Sequence, residues 1–199
     1  FEVVHAAFEE AYFTHTSTSP NLQIIASLDV ARRQMELEGY GLVTRATDLA
    51  LRIRTHVNTH PLISKYFHVL TPAEMVPAEH RESGIADYGP PHGNWQAMAD
   101  AWTRDEFALD PTRITLVCGT AGYDGTAFKA LLADRYDIQI NKTSRNSILL
   151  QTNINNTRSD VAHIVKVLAD IARQVEEDLR RGGEPARQAC RSGRIGGWS

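Results

Sequence analysis

The sequence predicts an α/β (α+β) fold, with helices on one face of a small, mostly antiparallel sheet. Three observations predict it. From Arg113 onward the apolar periods alternate as strand, helix, strand, strand, helix. The last of these helices keeps Val161, Ile164, Val165, Leu168, Ile171, Ala172, Val175 and Leu179 on one side. The opening residues to about His60 carry helical spacing and no strand candidate.

The elements follow in order. Val4 to Tyr12 spaces its apolar residues as a short first helix. A second is expected from Pro20, with Ser19 as N-cap and proline at the first helical position. It is expected to stop at Gly39. Leu22, Ile25, Ala26, Leu28 and Met35 give it a broad apolar face, which predicts deep burial. A third helix is expected from Leu42 to His60, because Leu42, Ala46, Leu49, Ile53 and Val57 recur at threes and fours and Pro61 forbids continuation. "YFHVL" reads as a short strand, residues 71–94 as a long surface loop, and "WQAMADAW" as one or two helical turns.

Beyond Pro111, "RITLVC" is a strand, "GTAGYDG" a turn and "TAFKALLADR" a helix. "YDIQINK" and "NSILLQTNI" are expected to be strands around the turn "TSRN". Thr157 with Asp160 three residues on forms a capping box for the last helix. Residues 181–199 are rich in glycine and arginine without a period and read as a flexible tail.

Composition excludes several classes. The 199 residues carry a formal charge of −3, which gives no reason to invoke nucleic acid or an anionic membrane surface. Two cysteines, Cys118 and Cys190, make no disulfide framework and fit a cytoplasmic location. No apolar run approaches the roughly 18 residues of a membrane span. Phe1 opens inside a helical pattern, so the chain is read as a piece of something longer.

Most candidate chemistry has a plainer explanation. His56 and His60 stand four apart on a helix, but HExxH would need a glutamate that is missing, and no metal site is expected. His92 has no serine, cysteine or carboxylate partner at a telling spacing. "GTAGYDG" lacks the lysine of a P-loop, and Cys118 reads as a core thiol. That leaves His15–Pro20, "HTSTSP", directly before a helix. Such hydroxyls either cap the helix or help its positive end hold an anion.

The same residues carry a resemblance. "FEEAYFTHTSTSPNLQIIASLDVARRQME" resembles the stretch after the cofactor lysine in the ornithine/lysine/arginine decarboxylases, pyridoxal-phosphate enzymes of the aspartate-aminotransferase fold type, fold type I. "DPTRITLVCG" is similar to that family's "DP.KVTL" strand, and "YDIQINKTSRNSILLQTNI" to its "giivEKt..yn.lflfsig" hairpin. The segments occur in the family's order over roughly residues 6–175.

The resemblance implies that residues 1–60 end the large cofactor-binding domain and that 61–180 form the small C-terminal α/β domain. It implies that Ser17 and Ser19 reach the phosphate of pyridoxal 5′-phosphate across a homodimer interface, while Thr16 and Thr18 point elsewhere. The Schiff-base lysine precedes this chain in the family. Lys65, Lys129, Lys142 and Lys166 lack its motif, so no residue here is expected to be catalytic and the chain alone is expected to be inactive. The intact enzyme would remove the α-carboxylate of a basic amino acid. The alternative is a non-catalytic regulatory, assembly or ligand-binding α/β module.

Overall fold

The computed structural model describes residues 4–16, 19, 21–90 and 93–181. The chain divides into two units, residues 1–42 and 43–199. The first holds α1, His5–His15, and the start of α2, Leu22–Thr59. The second holds the rest of α2 and every later element.

Two expectations about the opening helices are corrected. The helix does not stop at Gly39, since α2 runs unbroken through Gly39 and Gly41 to Thr59. Glycine permits a left-handed stop but does not impose one. The expected deep burial of the Pro20–Gly39 helix also fails in this chain. Leu22 is 79% exposed, Leu28 64% and Ile25 52%. A broad apolar stripe shows that a face suits an apolar neighbour, but does not say where that neighbour comes from.

The second unit is built on a four-stranded antiparallel sheet of order β1-β2-β4-β3. Its strands are β1, His68–Val69, β2, Arg113–Val117, β3, Lys142–Thr143, and β4, Ser147–Gln151. Val69 pairs with Leu116, and Leu116 with Ile148. Ile114 and Leu116 alternate with less buried neighbours, the period expected of a strand with one covered face. Against that face pack Ala50, Ile53 and Val57 of α2, Phe128 and Leu132 of α5, Gly125–Tyr136, and the buried side of α6, Arg158–Arg180. Phe67 and Phe128 meet at 5.4 Å between ring centroids.

The last helix matches its reading closely. Thr157 and Asp160 form the capping box, and Val161, Ile164, Leu168, Ile171, Ala172 and Val175 are buried. The expected strand "YDIQINK" is only half right. Asp137 takes a left-handed conformation, φ 54°, and closes α5 by donating its N–H to Leu132. The ladder therefore begins only at Lys142.

Gly125 has a different role, in close approach rather than in a turn. A Cβ there would run into the carbonyls of Ser144 and Ser147, so a larger residue could not start α5 so near the β3–β4 turn. Its neighbour Asp124 caps α5 by accepting from the N–H groups of Thr126 and Ala127.

Residues 71–94 are more than a surface loop. They include α3, Pro72–Met75, and a single 3-10 turn at Ala78–His80. With α4, Trp95–Arg104, they enclose a small core of Ile85, Tyr88, Met98 and Ala101. Ser83 donates its backbone N–H and its hydroxyl to Asp105, at 2.7 and 2.8 Å. The Tyr88 hydroxyl both donates to the Leu109 carbonyl and accepts from its N–H.

Buried Arg54 ties α2 to this framework. It donates to the carbonyls of Pro111, Leu70 and Arg113 at 3.2, 3.1 and 2.9 Å. Burial lowers its pKa from the ordinary value, while Asp87 and Asp110 oppose the shift. At the other end of this stretch of helix, the Thr152 hydroxyl donates to the Ala46 carbonyl at 3.0 Å.

Candidate functional site

The hydroxyl-rich segment joins the end of α1 to the start of α2. Its first residues turn back onto α1. Thr14 Oγ1 donates to the Glu10 carbonyl at 2.8 Å and Thr16 Oγ1 to the Tyr12 carbonyl at 2.6 Å. His15 Nδ1 lies 2.8 Å from the Ala11 carbonyl, an acceptor, so this nitrogen carries the hydrogen. Of the three acceptors, Tyr12 lies in the last turn, where carbonyls lack a partner within the helix.

At the other end, Asn21 rather than Ser19 caps α2. Asn21 Oδ1 accepts from the backbone N–H groups of Gln23 and Ile24, at 2.9 and 3.2 Å. Asn21 is also an N-cap residue type, and its position one residue before the apolar run was the available signal. Ser19 is exposed, while Ser17, Thr18 and Pro20 lie outside the described residues. Thr16 Oγ1 faces its own helix.

Charge favours an anion at this end of α2. The 38-residue helix has no acidic residue in its first turn. A helix start carries partial positive charge and directs backbone N–H groups outward. The surroundings are apolar and open. Phe8 stacks on Tyr12 at 6.3 Å, Tyr12 meets Phe13 edge-on at 5.8 Å, and all three are more than half exposed. The one imidazole of the segment is engaged through Nδ1 with a backbone carbonyl.

Other sequence candidates resolve into structural parts. His60 Nδ1 accepts from the N–H groups of Leu62 and Ile63, making it a turn-forming acceptor. Among the described residues no three histidine, cysteine or carboxylate side chains group as a metal site. Cys118 is buried and its thiol is pushed up to about 12, chiefly by desolvation, so it is no nucleophile at neutral pH. Lys65 pairs with Glu176 at 3.1 Å and Lys166 with Asp170 at 3.4 Å. His92 lies outside the described residues.

The second unit also has a cavity of about 360 Å³ that no motif announces. It is lined by β4, residues 137–141 and the start of α6. Its lining residues are scattered along the chain and converge only in three dimensions.

Comparison with known proteins places these features. Residues 1–160 match the family model described as Orn/Lys/Arg decarboxylase, major domain. The match includes much of the region that the sequence reading assigns to a small C-terminal domain. The constitutive lysine decarboxylase of Escherichia coli is 26% identical over 185 residues, covering 87% of this chain and 25% of its own length. An arginine decarboxylase of Bacillus cereus is 27% identical, covering 79% and 28%. Lysine decarboxylase LdcA of Pseudomonas aeruginosa is 28% identical, covering 87% and 25%.

The solved structure of the E. coli constitutive lysine decarboxylase superposes with a TM-score of 0.60 at 22% identity, over 89% of this chain and 26% of that one. This shows a shared fold. The chain spans about a quarter of the length of the curated relatives it matches. Because the family model runs through the hydroxyl segment, the sheet and the start of α6, the chain belongs to the Orn/Lys/Arg decarboxylase family.

Proposed function

We propose that this chain forms part of a pyridoxal-phosphate-dependent, fold type I decarboxylase of basic amino acids, and that Ser17 and Ser19 help hold the cofactor phosphate of a neighbouring subunit. The observation that carries the reading is the start of α2. An acid-free, positive helix end stands beside exposed Ser19, in a chain of this family. These features fit a dianionic phosphate, which hydroxyl and backbone N–H donors bind through charge-assisted hydrogen bonds.

When bound, the cofactor supplies an electron sink for the pair left behind as the carboxylate departs. This chain's part is to hold and orient. Ser17 and Ser19 would donate to phosphate oxygens, and Asn21 would fix the direction of the helix that follows. The exposed aromatic and aliphatic side chains of α1 and early α2 support a subunit interface here, since open apolar surfaces of this kind are usually covered in an assembly. A lysine to carry the cofactor would come from elsewhere in the protein, so the isolated chain is inactive. The buried free thiol of Cys118 is in keeping with a reducing, cytoplasmic setting.

The test uses the full-length enzyme carrying Ser17→Ala and Ser19→Ala together. Titration of the apoenzyme with pyridoxal phosphate should show affinity weakened by about 1.5–3 kcal/mol, the scale of hydrogen bonds to a charged group. Unchanged affinity would confine these hydroxyls to the local chain turn and remove their cofactor role.

A further inference from the structure

We propose that the Asn21 side chain is itself a ligand of the cofactor phosphate at the start of α2, donating from Nδ2 while Oδ1 caps the helix. The inference rests on the phosphate role proposed for this segment. It deepens that role by adding a donor that is not a hydroxyl and that serves the helix at the same time.

Counting donors leads to it. From Thr16 to Leu28 the sequence has neither lysine nor arginine, so within this stretch an anion meets neutral donors alone. Pro20 has no N–H to give. The helix itself offers fewer amides than an uncapped end would. Asn21 Oδ1 already accepts from Gln23 and Ile24, at 2.9 and 3.2 Å. The Ile25 N–H bonds the Asn21 carbonyl at 3.0 Å. Of the amides from Leu22 to Ile25, that leaves Leu22 N–H as the one without an acceptor among the described residues. A phosphate with three peripheral oxygens therefore depends on side chains here.

The two capping bonds also fix the carboxamide. Because Oδ1 faces the helix, the planar group turns Nδ2 and its two hydrogens away from Gln23 and Ile24, and the residue is exposed. Among the described residues nothing accepts from Nδ2. An oxygen that accepts from two amides at the positive end of a helix polarises its own carboxamide, which makes Nδ2 a stronger donor. Serine and aspartate would cap as well, but neither would present an N–H outward. The helix brings no acidic side chain in its first turn to compete for those hydrogens.

The experiment titrates the full-length apoenzyme with pyridoxal phosphate and, separately, with pyridoxal, which lacks the phosphate. Asn21→Ser keeps a capping oxygen and removes Nδ2. It should weaken pyridoxal phosphate about tenfold, the scale of one hydrogen bond to a charged group, and leave pyridoxal unchanged. Asn21→Asp keeps the cap and sets a carboxylate beside the dianion, and should weaken it about a hundredfold, the scale of juxtaposed like charges. Parent affinity in Asn21→Ser overturns the proposal, because the cap survives in serine. So does a loss shared equally by pyridoxal, which marks a distorted fold rather than a lost phosphate contact. The paired variants separate this role from that of the hydroxyls. If Ser17→Ala with Ser19→Ala weakens binding and Asn21→Ser does not, the hydroxyl role stands and this one falls. If Asn21→Ser alone weakens binding, this one stands and the hydroxyl role falls.

Discussion

The two units use apolar residues in opposite ways. From Val4 to Glu38 every described residue is exposed, including Phe8, Phe13, Leu22 and Leu28. From Val43 onward a similar density of leucine, isoleucine and valine closes into a core in which Val57, Leu116, Phe128 and Leu168 have no exposed surface. Both regions show helical spacing in the sequence. What separates them is whether this chain contains the partner surface. The sheet is that partner for α6 and for the later part of α2.

The largest expected effect breaks the polar frame of the second unit. Arg54→Ala would leave three backbone carbonyls, of Pro111, Leu70 and Arg113, without their buried donor. A loss of about 3–5 kcal/mol is expected in urea unfolding, the scale of leaving several buried carbonyls unsatisfied at about 1–3 kcal/mol each.

A matched pair sharpens the comparison directly. Leu168→Ala, at a fully buried site of α6, should cost about 2–5 kcal/mol. Leu28→Ala removes the same atoms from an exposed site of α2 and should stay within about 0.5 kcal/mol in this chain. A Leu28→Ala loss as large as that of Leu168→Ala would show that the first unit is covered in solution, for instance by self-association.

Smaller still is the effect of pH through Asp160. Its folded pKa lies below the ordinary 3.8, chiefly because the Thr157 N–H binds the carboxylate. The sign follows from linkage. A depressed carboxylate contributes stability above its unfolded pKa and loses it as pH falls through the folded value. Asp160→Asn should therefore lower stability modestly near neutrality, where the charge contributes in full, and remove the fall below about pH 4, so that the two profiles converge in acid.

The smallest effect concerns α2 itself. A Cβ at Gly41 would meet nothing within 4 Å, so Gly41→Ala should stabilise the helix, by up to about 1 kcal/mol. Circular dichroism with melting would check it. Destabilisation would mean that the helix is interrupted there, as the glycines first suggest.

Much of the fold could be read from the chain because the signals were local. The Thr157–Asp160 box, the β2 strand and the stripe of α6 depend on residues a few positions apart. The misses needed information from farther away. Gly39 looks like a stop when neighbours are ignored, and residues 137–141 look like a strand until Asp137 closes α5. The core around Tyr88 joins residues from 85 to 101 through side-chain-to-backbone bonds that follow no period. For the site, the hydroxyls stood out, yet Asn21 was passed over because Ser19 before a proline matched the same capping rule.

The sequence alone determined the kinship of this chain, the order of its strands and later helices, and the presence of hydroxyls before a long helix. These properties depend on residue identity and short-range spacing, where backbone sterics and side-chain period decide the outcome. Tertiary structure decided the antiparallel order β1-β2-β4-β3, the burial of Arg54 among carbonyls and the lining of the 360 Å³ cavity. Those follow from surfaces meeting across dozens of residues, where burial and hydrogen-bond satisfaction of the whole unit select one arrangement from many that the local pattern permits.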